Sequence, residues 1–152
     1  MTDDLGLLNA LVQLSFAVQG ALGRVAGAHE LSLVQVRLLG ILRDRAPGML
    51  ELAKLLELDK SSVTGLVDRA ERRGLVRRAS TPDDGRAVRV SMTEAGRELT
   101  RKLVKQLERE LSTLVEGLSE PERKRLSVLA TQIAVNDVAR VLPGVSLLPR
   151  KP

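Results

Sequence analysis

The sequence predicts a mainly α-helical chain carrying one small β-hairpin. Three observations lead there. Apolar residues recur at spacings of three and four along most of the 152 residues, the signature of helices that bury one face. After Gly74 that period gives way to alternation in Leu75–Arg78 and Ala87–Met92, as in short strands. Between those two runs stands Thr81-Pro82-Asp83-Asp84-Gly85, which is turn chemistry.

Residues 5–28 form the first helix, with Leu8, Leu11, Ser15, Val18, Leu22 and Val25 at helical spacing; Gly20, Gly23 and Gly27 weaken its end. Ser32 caps a second helix, Gln35 completes a capping box, and Leu31 with Val36 forms a hydrophobic staple. This helix reaches about Arg45 and stops before Pro47-Gly48. Leu52, Ala53 and Leu56 mark a short third helix, and Leu58-Asp59 makes a turn. Asp59 then caps a fourth helix, whose core side is Val63, Leu66, Val67 and Ala70 and whose C′ residue is Gly74. Beyond the hairpin, Thr93 caps a long helix with Leu99, Leu103, Leu107, Leu111, Leu114 and Leu118 on one stripe. Ser119 and Glu122 open a last helix bearing Leu126, Leu129, Ile133, Val138 and Val141, which Pro143 ends. Residues 143–152 read as a loosely ordered tail.

Composition removes whole classes of chemistry. With no cysteine there are no disulfides, thiolate metal sites or thiol sensors. His29 is the single histidine and Phe16 the single aromatic residue, so a metal centre, a His-dependent triad and base-stacking platforms all lack material. No Gly-rich phosphate loop is present, and no carboxylate pair stands apart from ordinary helix-surface Glu. The expectation is therefore a protein with no catalytic residues, cofactor or metal. Its start is acidic and no apolar run reaches the roughly 18 residues of a membrane span, so a soluble cytoplasmic chain without a membrane partner is expected. The length matches one domain of roughly 150 residues.

Charge is concentrated. Residues 69–89 hold seven arginines against Glu71, Asp83 and Asp84, so +4 of the chain's net +5 lies in 21 residues. Arginine's planar fork suits phosphates and base edges. A helix pair followed by a basic hairpin is the layout of a winged helix-turn-helix, in which the second helix enters the major groove of duplex DNA and the hairpin reaches the minor groove. At 100° per residue, the apolar stripe of residues 60–73 leaves Ser61, Gly65, Asp68 and Arg72 outward, flanked by Ser62, Thr64 and Arg69. Gly65 has two readings, a close backbone approach to a partner or an unoptimised surface position. Asp68 is expected to pair with Arg72 or with an arginine of the hairpin.

Leu50–Gly96 resembles the MarR family of multiple-antibiotic-resistance regulators. The matching pieces are Leu52-Ala53, Val63-Thr64-Gly65-Leu66-Val67-Asp68-Arg69, Gly74-Leu75-Val76 with Arg78, Asp84-Gly85-Arg86, and Met92-Thr93-Glu94-Ala95-Gly96. The order of elements agrees from residue 5 to about 142. The resemblance implies a homodimeric transcriptional regulator, expected to act as a repressor on a palindromic operator in double-stranded DNA, with Arg86 entering the minor groove. Many members carry a second arginine where Gly85 stands. The DNA-contacting set is Ser61, Ser62, Thr64, Gly65, Arg69, Arg72, Arg78 and Arg86.

One domain, 1–142, divides into a reading head (47–92) and flanks (1–46 and 93–142). The flanks supply three apolar-striped helices and most of the leucines, more than a lone reading head needs, and this predicts N- and C-terminal dimerisation helices. The family also implies a small anionic or phenolic effector between head and flanks, where Arg24, His29 and Arg37 are placed to meet a carboxylate. The competing class is a winged-helix protein–protein module without DNA binding; the arginine cluster argues against it.

Overall fold

The computed structural model describes residues 4–80 and 87–147. The elements are α1 (Leu7–Ala28), α2 (Leu33–Leu42), α3 (Met49–Leu56), α4 (Lys60–Arg72), β1 (Val76–Ser80), β2 (Val88–Met92), α5 (Glu94–Leu114) and α6 (Glu120–Val141). The expected starts are present. Ser32 Oγ accepts from Gln35 N–H while Gln35 Oε1 accepts from Ser32 N–H, Asp59 accepts from Ser62 N–H, and Thr93 accepts from Gly96 N–H. At α6, Glu122 accepts both the N–H (2.7 Å) and the hydroxyl (2.8 Å) of Ser119.

Several ends differ from expectation. The glycines do not interrupt α1, and α2 stops at Leu42 rather than near Arg45. Gly74, at φ 71°, is the left-handed residue that closes α4; Leu75 N–H reaches Ala70 O at 3.0 Å and Gly74 N–H reaches Glu71 O at 2.9 Å. Glu30 and Glu57 do the same work for α1 and α3 at φ 54° and 55°. Their Schellman-type bonds are Leu31 N–H to Ala26 O and Leu58 N–H to Ala53 O. No glycine marks either stop.

The strands pair antiparallel, Val76 opposite Met92, Arg78 opposite Val90 and Ser80 opposite Val88. Residues 81–86, with the expected turn and Arg86, lie outside the described residues. A third segment, missed in the sequence, joins β2. Gly48 bridges to Arg89 and Val90 N–H donates to Pro47 O at 2.9 Å, so the hairpin is sewn to the start of α3. Leu38, Leu39, Leu52, Val63, Leu66, Val67, Val76 and Val90 are fully buried at the centre. Val25 and Ala26 of α1 and Leu103 of α5 close this core. Gly96 permits the closure: a methyl there would run into the Leu75 carbonyl oxygen and lie 2.7 Å from Met92 Cγ.

Burial grades along the flanking helices. On α1, Val25 is buried, Leu22 half-buried, and Leu7 and Leu8 are 74% and 80% exposed. On α5, Leu103 is buried and Leu114 exposed. No side chain of α6 is buried. Residues 143–147 fold back under the end of α6, where Arg45 donates to Ser146 O at 2.6 Å.

Candidate nucleic-acid interface

The outward face of α4 is built from its cap. Asp59 takes the Ser62 N–H and the Ser61 hydroxyl, both at 2.8 Å. The Ser62 backbone bond, then the hydroxyl bonds, hold its carboxyl below the usual carboxylate range. Ser61, Ser62, Thr64, Arg69 and Arg72 are exposed. The hydroxyls are less available than the sequence implies. Ser61 is committed to Asp59, and Thr64 Oγ1 donates to Lys60 O at 2.9 Å. Gly65 has a third explanation beyond the two above: a methyl on it would lie 3.2 Å from Arg69 Nη1, so its bare backbone gives the Arg69 side chain room to fold back along the helix.

The arginine cluster divides by task. Arg78 of β1 pairs with Asp68 at 2.7 Å and with Glu71 at 3.3 Å, and its own N–H donates to Glu71 Oε2. The hairpin arginine, not Arg72, is thus the partner of Asp68. Arg73 donates to Glu30 O (2.9 Å) and His29 O (3.1 Å) at the end of α1. Arg89 donates to Ala46 O at 3.0 Å and Arg77 to Ser91 Oγ at 3.4 Å. Among the described residues, Arg69 and Arg72 are the members of the cluster left without an intramolecular partner. Arg86 falls outside the description. Charge counting located the cluster; only the fold distinguishes struts from free cations.

The three effector candidates do not converge. Arg24 is paired with Glu110 on α5 at 3.0 Å, and His29 Nε2 lies 2.7 Å from Gln106 Oε1. Arg24 lines a small cleft of about 250 Å³ between α1 and α5. Arg37 lines a different cavity of about 330 Å³, between α2, α3 and the end of α6. A third cavity of about 470 Å³, unforeseen, lies where α5 meets the end of α2, with Arg43, Arg97, Arg101 and Lys105 around Met92, Thr100 and Val104. Among the described residues no group of His, Asp or Glu is placed to hold a metal ion, and no single helix is long and apolar enough to cross a membrane.

A MarR family model matches residues 29–87. The transcriptional repressor NicR of Pseudomonas putida is 32% identical over 110 residues, 71% of this chain and 69% of its own. The chain belongs to the MarR family. The regulator PecS of Dickeya dadantii is 26% identical over 131 residues, 84% of this chain and 79% of its own. A crystal structure of MarR, 26% identical, covers 92% of this chain and 96% of its own with a TM-score of 0.77. The family match runs from the end of α1 to the start of β2, and the structural likeness covers 92% of the chain. The chain is a winged-helix transcriptional regulator that binds DNA, not an enzyme.

Proposed function

We propose that this MarR-family regulator is a homodimeric repressor that binds a palindromic operator and leaves it when a small anionic or phenolic molecule binds. The outward face of α4 carries the proposal. Arg78 bridges both of its acids, Asp68 and Glu71, and offsets one of their two charges; the free Arg69 and Arg72 outweigh the other, so a net positive surface faces outward beside the exposed Ser62. In this reading α4 enters the major groove, and the hairpin carries Arg86 to the adjacent minor groove. Two-fold symmetry would place two such heads on inverted half-sites.

Support for repression comes from NicR, named a transcriptional repressor. Two solved structures that share the fold point to an aromatic anion as the ligand class: BpsR, regulated by 6-hydroxynicotinic acid, at 23% identity, and NadR, in complex with 4-hydroxyphenylacetate, at 21%. The cavity at Arg97, where Arg43, Arg97, Arg101 and Lys105 face the one acid Glu108, is the candidate seat that charge favours; the cavities at Arg24 and Arg37 also hold acids, Glu110 in one and Asp44, Glu57 and Asp137 in the other.

The test is a salt titration of binding to duplex sites selected from a random pool. The logarithm of the affinity should fall linearly with log salt, and Arg86→Ala should flatten the slope by about 0.9 per lost contact in each subunit. Adding 4-hydroxyphenylacetate should release the DNA. Salt-independent binding, or none above background, would return the protein–protein reading.

A further inference from the structure

Beside the arginine-bearing face of α4, an apolar hollow opens between α3 and α4, lined by Met49, Leu50, Ala53, Val63 and Thr64 with Lys60 at its edge. Leu50 is 73% exposed, an unusual place for a leucine in a helix otherwise packed into the core. Thr64 forms the margin between this hollow and the outward face. Its hydroxyl hydrogen is committed to the Lys60 carbonyl at 2.9 Å, so it has no donor left for a base acceptor. What Thr64 adds to the surface is its methyl group.

We infer that the Thr64 methyl and Leu50 form a receptor for the 5-methyl group of a thymine, making Thr64 a specificity residue that reads through carbon rather than oxygen. The inference rests on the proposed placement of α4 in the major groove. There a thymine differs from every other base by an apolar projection, and threonine methyls and aliphatic chains are the side-chain groups that meet it. Duplex DNA is the occupant that the charge favours. The hollow carries Lys60 on its rim and adjoins the face with the free Arg69 and Arg72, which would hold the phosphates on either side while the apolar pair meets the base edge. Met49 and Leu50 begin α3, and the hairpin bridge through Gly48 pins that start. On the other wall Val63, beside Thr64, is buried in the core.

The experiment isolates one methyl group. From a high-affinity duplex selected by the full chain, each thymine of the half-site is replaced in turn by deoxyuridine, which removes the 5-methyl and nothing else. At one position per half-site the wild-type protein should lose about fourfold in affinity, the value of one buried methyl. Thr64→Ser should bind the thymine site about fourfold more weakly per half-site and no longer distinguish uracil from thymine there. Thr64→Val should keep the discrimination, and Leu50→Ala should reduce it. Thermal unfolding of each variant separates lost contact from lost fold; Thr64 is exposed, and its substitutions should leave the melting temperature nearly unchanged. If deoxyuridine is tolerated at every position on DNA that still binds tightly, the receptor is wrong although the regulator reading stands. Retained discrimination by Thr64→Ser would overturn it equally. A chain that retains no duplex above background would overturn both.

Discussion

Asp59 shows how much rests on one side chain in this molecule. It caps α4, orders Ser61 and Ser62, and titrates below the normal carboxylate range because the Ser62 N–H first, and then the serine hydroxyls, stabilise the ionised form. A carboxyl whose folded pKa is depressed contributes stability above its unfolded value, here near 3.8. That contribution is lost as the pH falls through the lower folded value. Glu122, lowered by the Ser119 N–H and then its hydroxyl, follows the same rule at α6. Thermal unfolding between pH 7 and pH 2 should therefore show a smaller loss below pH 4 in Asp59→Asn than in the parent chain; identical profiles would deny the cap its charge. Gly96 is the converse case, a residue defined by what it lacks. Gly96→Ala should lower stability by about 1–3 kcal/mol, because the Leu75 carbonyl is backbone and has little room to retreat. Caps such as Asp59, Ser32 and Thr93 were legible in the sequence, since a cap is an interaction within three residues. The engagement of the Thr64 and Ser61 hydroxyls was not. It depends on rotamers, and the wheel of α4 gives directions rather than partners.

At the level of elements, the hairpin and the recognition helix form one unit held by Arg78. Its side chain is the least exposed of the ion-paired arginines among the described residues, 26% against 59–75% for the others. Removing it would leave Asp68 and Glu71 as bare negative charges beside the phosphates. Arg78→Ala should weaken duplex binding on the order of tenfold at low salt and less at high salt. Adding Asp68→Asn and Glu71→Gln to that variant should restore most of the loss. Failure of the rescue would mean that Arg78 touches DNA itself. The ends of α1 and α3 mark where pattern reading stops. Glu30 and Glu57 adopt the left-handed conformation that glycine favours, and no residue type announces it. Chain closure imposes it: the buried Leu31, next to Glu30, belongs to the core, and Leu58, next to Glu57, packs against it. Glu57→Gly should raise stability by about 0.5–1 kcal/mol, measured by chemical denaturation. The bridge from Gly48 to β2 escaped the sequence for the same reason, because a single long-range pairing has no period.

The whole molecule exposes more surface than a finished fold of its size. A compact monomer of 16.5 kDa exposes about 7,600 Å² by the usual scaling, whereas this chain exposes 10883 Å². An apolar part of that surplus sits on identifiable groups: Leu7, Leu8, Leu11 and Phe16 of α1, and Val128, Leu129 and Ile133 of α6. Hydrophobic spacing identified both helices correctly; it could not say whether their stripes face this chain's own core or another chain, because periodicity records only that a face is apolar. The exposures favour another chain, for α6 forms a long helix yet buries no side chain. Helices in proteins gain most of their stability from packing one face against a neighbour. In the proposed homodimer a second copy with the same unfinished faces would supply the cover, and obligate interfaces of about 2,000–5,000 Å² lie within the surplus that two chains offer. Sedimentation at micromolar concentration should accordingly give twice the chain mass of 16.5 kDa. Ile133 is 57% exposed in the single chain, so Ile133→Glu would disturb nothing within it but would bury a charge between two copies. That variant should sediment as the monomer, keep the reading head folded, and bind a palindromic duplex with the shallow salt slope of a single head. A dimeric Ile133→Glu protein with unchanged affinity would place the interface elsewhere.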